Sequence, residues 1–147
     1  MENPTPLSAE NNIRALAHID PFSSWLQVQR LKIEPGYSRI SMVVRDEMMN
    51  GFGIAHGGVT FAMADTAFGY ASNGEGTITV ALDVSISFPH PAYKGDVLIA
   101  EARRLSETRK TGLYLVEITN QQQQLIAVFK GTCYKTGKPH PTHPPTE

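Results

Sequence analysis

The chain has 147 residues, which suits one domain around one hydrophobic core. Its 13 basic and 14 acidic side chains give a formal net charge of −1, which excludes the strongly basic surface that nucleic acid or an anionic membrane would need. Cys133 is the only cysteine, so an internal disulfide is excluded, and no segment approaches the roughly 18 apolar residues of a spanning helix. We therefore expect a cytoplasmic protein without nucleic-acid or membrane partners.

The order of helical and strand patterns predicts an α+β fold. Apolar residues recur every three or four positions where a helix is expected, and they alternate with polar residues where a strand is expected. The predicted elements are a helix at 7–17, a short turn at 21–26, strands at 27–34 and 37–44, a long helix at 56–73, and strands at 79–88, 96–105, 112–120 and 125–134. Ser8 is the predicted cap of the first helix, a turn at Pro35-Gly36 joins the first two strands, and Pro89 and Pro91 end the strand at 79–88. Short links favour an antiparallel sheet, and the long apolar helix is best buried if that sheet curls around it.

The same pattern divides the chain into three parts. Residues 1–26 form an N-terminal helical segment, 27–136 the main domain, and 137–147 a flexible tail that is too rich in proline to order by itself. His140 and His143 lie in that tail, but two histidines fall short of the clustered ligands that a structural zinc site needs. We therefore expect neither a metal nor a bound cofactor.

One carboxylate stands in the middle of the long helix. Asp65 lies within HGGVTFAMADTAFGYASN, residues 56–73, which is apolar on nearly every side. Such a carboxylate either caps a loop or pairs with a basic residue, or it acts as a base or nucleophile made reactive by a lack of water. The glycine-rich start of the same helix favours the catalytic interpretation.

The start of that helix predicts a site for an oxyanion. The first backbone N–H groups of a helix lack partners, and Gly57 and Gly58 let a substrate approach the backbone closely. Gly57 and Asp65 are eight residues apart, about 12 Å along a helix, so one helix cannot bring both groups to one carbonyl. If both act on the same bond, a two-fold dimer must place one subunit's amide opposite the other subunit's carboxylate.

Three further polar side chains could support this chemistry. Asn50 could orient water or substrate, or it could only form a turn with Gly51. His56 could donate a hydrogen bond to a substrate carbonyl, or it could bond the loop backbone. Thr66 could contact the substrate, although helix hydroxyls often bond back to the preceding turn.

A basic cluster surrounds the end of one predicted strand. Its members are Arg103, Arg104, Arg109 and Lys110. The cluster could meet the phosphates of a bulky anionic ligand, but a charged sheet edge is the commoner explanation.

The segment MNGFGIAHGGVTFAMADTAFGYASN resembles the signature of hotdog-fold acyl-CoA thioesterases of the phenylacetic-acid-pathway (PaaI) type. The resemblance continues through VSISFPHPAYKGDVLIAEA and LVEITNQQQQLIAVFKG, so it covers most of the chain. It implies a hotdog fold, in which a curved antiparallel sheet surrounds a central helix, assembled as dimers and usually tetramers. It also implies hydrolysis of aryl- or arylacetyl-CoA thioesters, such as hydroxyphenylacetyl-CoA.

The resemblance also implies roles for individual residues. Asp65 matches the catalytic acid position, Gly57 the backbone donor to the thioester carbonyl, and His56 and Asn50 the supporting polar residues. Asp65 would then activate water as a general base or attack directly to give a mixed anhydride. A different function on the same fold, a non-catalytic acyl-CoA-binding or dehydratase-like protein, stays open because fold does not fix function.

Overall fold

The computed structural model describes residues 7–141, which form three α-helices and six β-strands. In chain order these are α1 (Ala9–His18), α2 (Pro21–Leu26), β1 (Gln29–Glu34), β2 (Tyr37–Val43), α3 (Gly57–Asn73), β3 (Thr77–Ser87), β4 (Val97–Glu107), β5 (Thr111–Thr119) and β6 (Leu125–Pro139). A short 3₁₀ turn at Asp46–Met48 lies in the loop before α3. Every predicted helix and strand is present, so the predicted order of elements is confirmed.

The six strands form one antiparallel sheet in the order β1-β2-β4-β5-β6-β3. The long helix α3 contacts all six strands, so the sheet curves around it. Each side of the helix therefore finds an apolar surface, which is why the sequence of α3 is apolar almost all round. The predicted α+β architecture, an antiparallel sheet around a central helix, is confirmed.

Aromatic packing fixes α3 against the sheet. Phe68 is buried, with its ring centroid 5.5 Å from that of Tyr114 and 5.6 Å from that of Phe129. Gly131 makes room for it, because a Cβ atom there would lie 2.9 Å from Cζ of Phe68. Replacing such a buried ring by alanine costs about 3–5 kcal/mol, so α3 is a rigid support for the groups along it.

The two N-terminal helices pack beside α3. Ser8 caps α1 as predicted, and the side chain of Asp20 caps α2. The side-chain amide of Asn12 donates to the carbonyl oxygen of Gly74 at 2.9 Å, which ties α1 to the end of α3. These contacts place α1 and α2 along one side of the central helix.

A tight turn at Pro35-Gly36 joins β1 and β2, as predicted. Gly36 has a φ of +74°, a left-handed conformation that favours glycine. Its N–H donates to the carbonyl oxygen of Ala71 at 3.2 Å, and its own carbonyl accepts from the N–H of Arg104 at 2.8 Å. The hairpin is thereby bonded to both α3 and β4.

A bulge divides β3, which forms one edge of the sheet. The register with β6 shifts between Ala81 and Asp83. Val84 is partly buried against the core, whereas Val80 and Leu82 are 46% and 60% exposed. The regular alternation of the sequence conceals this change, because one extra residue reverses which face the following side chains occupy.

The last strand is longer than predicted, because β6 continues to Pro139. His140 beyond it is buried, and its Nε2 lies 2.9 Å from Oδ1 of Asn73. The prediction of a flexible tail from residue 137 is therefore wrong for its first four residues, which strand pairing and burial hold in place. His143 lies outside the described residues.

None of the helices between residues 7 and 141 is long and apolar enough to cross a membrane. Over the same range, no group of three or more His, Cys, Asp or Glu side chains is placed to hold a metal ion. Burial lowers the pKa of His140, which favours the neutral ring beside Asn73.

Candidate active site

Asp65 lies in a groove between α3 and the two N-terminal helices. The groove has a volume of about 460 Å³, within the range of small-molecule sites. Its walls are Leu16, Ile19, Asp20, Pro21 and Phe22 on the N-terminal side and Asp65, Thr66, Gly69, Tyr70 and Asn73 on α3. Apolar side chains thus stand opposite a carboxylate.

The Asp65 carboxylate has no hydrogen-bond partner and no ion-pair partner among the described residues. Asp65 is exposed in the groove, yet the surrounding protein atoms remove part of the water shell of its carboxylate. This desolvation raises the pKa of Asp65 above its ordinary 3.8, and no neighbouring charge opposes the shift. Capping or pairing therefore does not explain this carboxylate within residues 7–141.

The first turn of α3 leaves one backbone donor available. The N–H of Gly58 donates to Nδ1 of His56 at 2.9 Å, and the N–H groups of Val59 and Thr60 donate to the His56 carbonyl at 2.9 and 3.4 Å. The N–H of Gly57 has no acceptor among the described residues. Gly57 is therefore the predicted oxyanion donor that remains available, whereas the N–H of Gly58 is already engaged.

Gly57 faces a second groove, of about 410 Å³. This groove is lined by Asn50, Ile54, Ala55, Gly57, Thr60, Phe88, His90, Pro91, Ala92 and Ile126. It shares no lining residue with the groove that contains Asp65. The two predicted groups thus face different grooves of the same chain, as the spacing along α3 required.

His56 caps the start of α3 and keeps one ring nitrogen without a partner among the described residues. Its Nδ1 accepts the Gly58 N–H, so the ring caps the helix. In the neutral ring the proton must then be on Nε2, which is a donor. His56 is exposed, so this donor can reach a substrate carbonyl.

Asn50 forms a turn and still offers a donor group. Its side-chain oxygen accepts from the N–H groups of Phe52 and Ile54 at 2.9 and 3.3 Å. Because both partners are donors, the orientation of the amide is fixed, and its NH₂ group has no partner among the described residues. The turn alternative is therefore correct for the oxygen, while the NH₂ group is left for a ligand in the Gly57 groove.

Thr66 lies in the Asp65 groove, but its hydroxyl already donates to the carbonyl oxygen of Ala62 at 2.8 Å. It bonds back to the preceding turn, as the alternative interpretation predicted. Any contact of Thr66 with a substrate must use its oxygen as an acceptor.

The basic cluster of Arg103, Arg104, Arg109 and Lys110 lies around the turn between β4 and β5. Both strands are internal in the sheet, so the sheet-edge explanation is wrong. Arg104 contacts Glu75, just beyond the C-terminal end of α3. The cluster is therefore near the end of α3 that is opposite Gly57.

Two members of the cluster are already neutralised. Arg103 pairs with Glu117 at 3.1 Å, and Arg104 pairs with Glu107 and Glu75 at 3.1 and 3.4 Å. These carboxylates compete with any phosphate for the same guanidinium groups. The cluster therefore presents less free positive charge than its sequence predicts.

Three aromatic side chains of the grooves were not recognised as site residues in the sequence. Phe22 lines the Asp65 groove, and Phe88 and His90 line the Gly57 groove. A Cβ atom on Gly57 would lie 3.3 Å from Cζ of Phe88, so Phe88 covers the glycine closely. The Pro89 and Pro91 positions marked the end of a strand, but no local signal placed that end against Gly57.

The comparisons with known proteins agree with this geometry. A family model described as the thioesterase superfamily matches residues 52–127. This chain belongs to the thioesterase superfamily. This thioesterase is 36% identical to acyl-coenzyme A thioesterase PaaI of Escherichia coli K12 over 129 residues. The matched region covers 88% of this chain and 92% of the relative.

Solved structures extend the similarity of this thioesterase. The structure of E. coli PaaI, from the phenylacetic acid degradation operon, matches with a TM-score of 0.88 at 36% identity, over 89% of this chain and 95% of that chain. The structure of smu.793 from Streptococcus mutans, bound to acetyl CoA, matches with a TM-score of 0.74 at 31% identity, over 77% and 91% of the two chains. The predicted hotdog fold and the predicted enzyme class, a thioesterase, are confirmed.

Proposed function

We propose that this thioesterase hydrolyses aryl- or arylacetyl-CoA thioesters, such as hydroxyphenylacetyl-CoA, to the free acid and coenzyme A. The observation that carries the proposal is the unpaired carboxylate of Asp65 in a partly desolvated, largely apolar groove. The acetyl CoA in the S. mutans neighbour and the name of the E. coli relative support coenzyme A as the thiol. The aromatic and aliphatic wall of the groove supports an aryl acyl group.

The complete site, in this proposal, combines two copies of the chain. Gly57 and Asp65 are at the first and ninth positions of one continuous helix and face separate grooves. A two-fold dimer brings the Gly57 amide of one subunit to the Asp65 groove of the other and forms two equivalent sites. The 11-residue β3 supports such a dimer, because it forms a sheet edge with exposed Val80 and Leu82. A tetramer would consist of two such dimers.

The chemistry follows from the two groups. The Gly57 N–H donates to the thioester oxygen and stabilises the oxyanion that forms on attack. Asp65 takes a proton from water as the water oxygen bonds to the carbonyl carbon, or its own oxygen makes that bond to give an anhydride that water then opens. In both routes the C–S bond breaks and its electron pair leaves with the coenzyme A sulfur, which then takes a proton.

The supporting residues have smaller roles in this proposal. His56 donates from Nε2 and Asn50 from its NH₂ group to the substrate or to water. Gly58 lets the substrate approach the helix start, and Thr66 accepts a hydrogen bond in the Asp65 groove. No step of this chemistry requires a metal or a bound cofactor.

Contacts with the coenzyme A phosphates are proposed for the basic cluster. Arg109 and Lys110 carry them most directly, since neither forms an ion pair among residues 7–141. Arg103 and Arg104 would first have to exchange their glutamate partners for phosphate. Charge reversal at Lys110 should therefore raise KM for an acyl-CoA more than for an acyl thioester of a short uncharged thiol.

The decisive test replaces Asp65. We expect Asp65→Asn and Asp65→Ala to lower turnover of phenylacetyl-CoA by about 10²–10⁴-fold, the usual contribution of a general base, with the fold and oligomer intact. Asp46→Asn is the matched control, because Asp46 makes only an exposed ion pair with Lys94. Near wild-type turnover by Asp65→Asn would exclude the assigned role.

Labelled water separates the two routes. A single turnover in H₂¹⁸O should place the label in the acid product if Asp65 acts as a base. Label appearing first in the Asp65 side chain, which results when water opens the anhydride at the Asp65 carboxyl carbon, would instead support the anhydride.

A substrate panel separates the alternative functions. A thioesterase releases free thiol from phenylacetyl-CoA, a dehydratase-like protein converts an enoyl-CoA, and a non-catalytic protein protects the thioester from hydrolysis. We expect thiol release, with higher kcat/KM for aryl- and arylacetyl-CoA than for fatty-acyl-CoA.

A further inference from the structure

The groove around Asp65 is built by two parts of the chain. One wall belongs to α3, which lies inside residues 52–127 that match the thioesterase superfamily. The facing wall consists of Leu16, Ile19, Asp20, Pro21 and Phe22 from the α1–α2 segment, which lies outside that match. The catalytic wall thus lies inside the region that the family model matches, whereas the facing wall precedes that region in the chain.

The facing wall presents a supported aromatic ring. Phe22 is 53% exposed and stacks on Trp25, with ring centroids 6.0 Å apart and an interplanar angle of 22°. The guanidinium of Arg45 lies 5.3 Å from the Trp25 ring centroid, and it donates to the carbonyl oxygens of Trp25 and Leu26 at 2.7 and 3.1 Å. This arrangement limits the orientations of Phe22, so a flat surface is ready for a second ring.

The charge of the groove is negative only. Asp20 and Asp65 are its acidic residues, and the part of its lining that residues 7–141 form contains no lysine, arginine or histidine. The Asp20 carboxylate is held in place because it accepts from the N–H groups of Phe22 and Ser23 at 3.0 and 3.2 Å and from the Ser23 hydroxyl. An acyl group that ends in a carboxylate would meet two like charges with no compensating cation.

We propose that the α1–α2 segment determines the acyl specificity of this enzyme, by stacking the acyl ring on Phe22 and by excluding anionic acyl groups through Asp20. The proposal rests on the aryl- or arylacetyl-CoA hydrolysis proposed above. The preferred acyl group is flat, aromatic and uncharged. Straight aliphatic chains fit the groove without the stacking contribution, and dicarboxylic acyl groups are rejected.

The first experiment tests the ring contact. The kcat/KM ratio of phenylacetyl-CoA to octanoyl-CoA is measured for the wild type, Phe22→Leu and Phe22→Ala. We expect both variants to lower this ratio by about 3- to 10-fold, the usual size of an aromatic pair contribution, through loss of phenylacetyl-CoA activity. Leu105→Ala is the control, because Leu105 is a 50% exposed apolar residue that lines neither groove, and it should leave the ratio unchanged.

The second experiment tests the charge. Asp20→Asn removes the negative charge but keeps a side chain that caps a helix equally well. We expect the kcat/KM ratio of succinyl-CoA to phenylacetyl-CoA to rise at least about fivefold, because one of two nearby like charges is removed. Asp46→Asn removes a carboxylate outside the groove and should not change this ratio.

The outcomes distinguish failure of the specificity proposal from failure of the proposed thioester hydrolysis. If the wild type hydrolyses octanoyl-CoA and Phe22→Leu leaves the kcat/KM ratio of phenylacetyl-CoA to octanoyl-CoA unchanged, the specificity proposal is overturned and the thioesterase function stays intact. An equal loss on phenylacetyl-CoA and octanoyl-CoA would also overturn it, because it would show a general effect of Phe22 rather than a preference. A wild type that hydrolyses none of the three thioesters would remove the proposed function and this proposal with it.

Discussion

Gly57→Pro is the sharpest perturbation that the structure offers, because it removes one N–H group and little else. The Gly57 N–H makes no hydrogen bond within the described residues, so α3 loses none of its own bonds. Proline suits the first helical position, and His56 before it has φ −61° and ψ 131°, the extended conformation that a residue preceding proline requires. We therefore expect α3 to keep its position.

The expected loss can be estimated from the number of donors at the helix start. Since Gly58, Val59 and Thr60 already donate within the turn, the variant leaves no free backbone donor there. Removing one oxyanion donor typically lowers kcat by 10²–10³, which is about 2.7–4 kcal/mol of barrier. Gly57→Pro should show a loss of this size with KM changed much less, because the interaction is strongest in the transition state.

Gly57→Ala is the matched control for this substitution. It places a Cβ atom 3.3 Å from Cζ of Phe88, as proline also does, but it keeps the N–H. The Phe88 ring is half exposed and can shift, so this variant should retain activity within about fivefold of the wild type. Free-thiol release from phenylacetyl-CoA measures both variants, and circular dichroism checks the fold. Equal activity of the proline and alanine variants would refute the role of the amide.

Five further outcomes are expected. Mixing Asp65→Asn subunits with Gly57→Pro subunits should restore about one quarter of wild-type activity, because half of the dimers are mixed and each mixed dimer has one intact site of two. If each site were formed within one chain, mixing would restore no activity. Because folding raises the pKa of Asp65, the charged carboxylate destabilises the fold above that pKa. Urea unfolding at pH 7 should therefore give a larger free energy of unfolding for Asp65→Asn than for the wild type. Well below pH 3.8 the two proteins should not differ. For the same reason the acid limb of kcat/KM should lie above pH 3.8, and an unshifted limb would contradict the desolvation argument. Gly69→Ala should raise the free energy of unfolding by about 0.5–1 kcal/mol, because no packed neighbour within residues 7–141 lies within 4 Å of the added methyl group. The same methyl group narrows the Asp65 groove and should raise KM for bulky acyl groups. Tyr70→Phe should not lower the free energy of unfolding, because the buried Tyr70 hydroxyl has no hydrogen-bond partner within residues 7–141 to lose.

Most of the fold could be predicted because its signals are local. The helix α3 is recognised from an apolar run with glycines before it, and the hairpin from Pro35-Gly36 between two alternating segments. The errors in the predicted strands occur where the structure depends on pairing with a strand that is distant in the sequence. The bulge near Leu82 and the extension of β6 to His140 depend on the pairing of β3 with β6, which adjacent residues do not encode.

The residues of the candidate site were likewise predictable only where the signal is local in the sequence. Asp65 and Gly57 were found because a lone carboxylate and a glycine pair are unusual in an apolar helix. Phe22 and His90 were not found, because they approach these groups only through folding. The free charge of the basic cluster could not be predicted, because the sequence shows its positive charges but not which glutamates the strands and turns bring to them.

The sequence by itself determined that Asp65 and Gly57 are on one helix and too far apart to act within one chain, since the rise of an α-helix per residue is fixed. Only the tertiary structure decided that the two groups face separate grooves, that Gly57 has the available amide of its turn, and that α1 and α2 form the wall opposite Asp65. Backbone geometry is set by neighbouring residues, whereas desolvation, hydrogen-bond partners and groove walls come from residues distant in the chain that folding brings together.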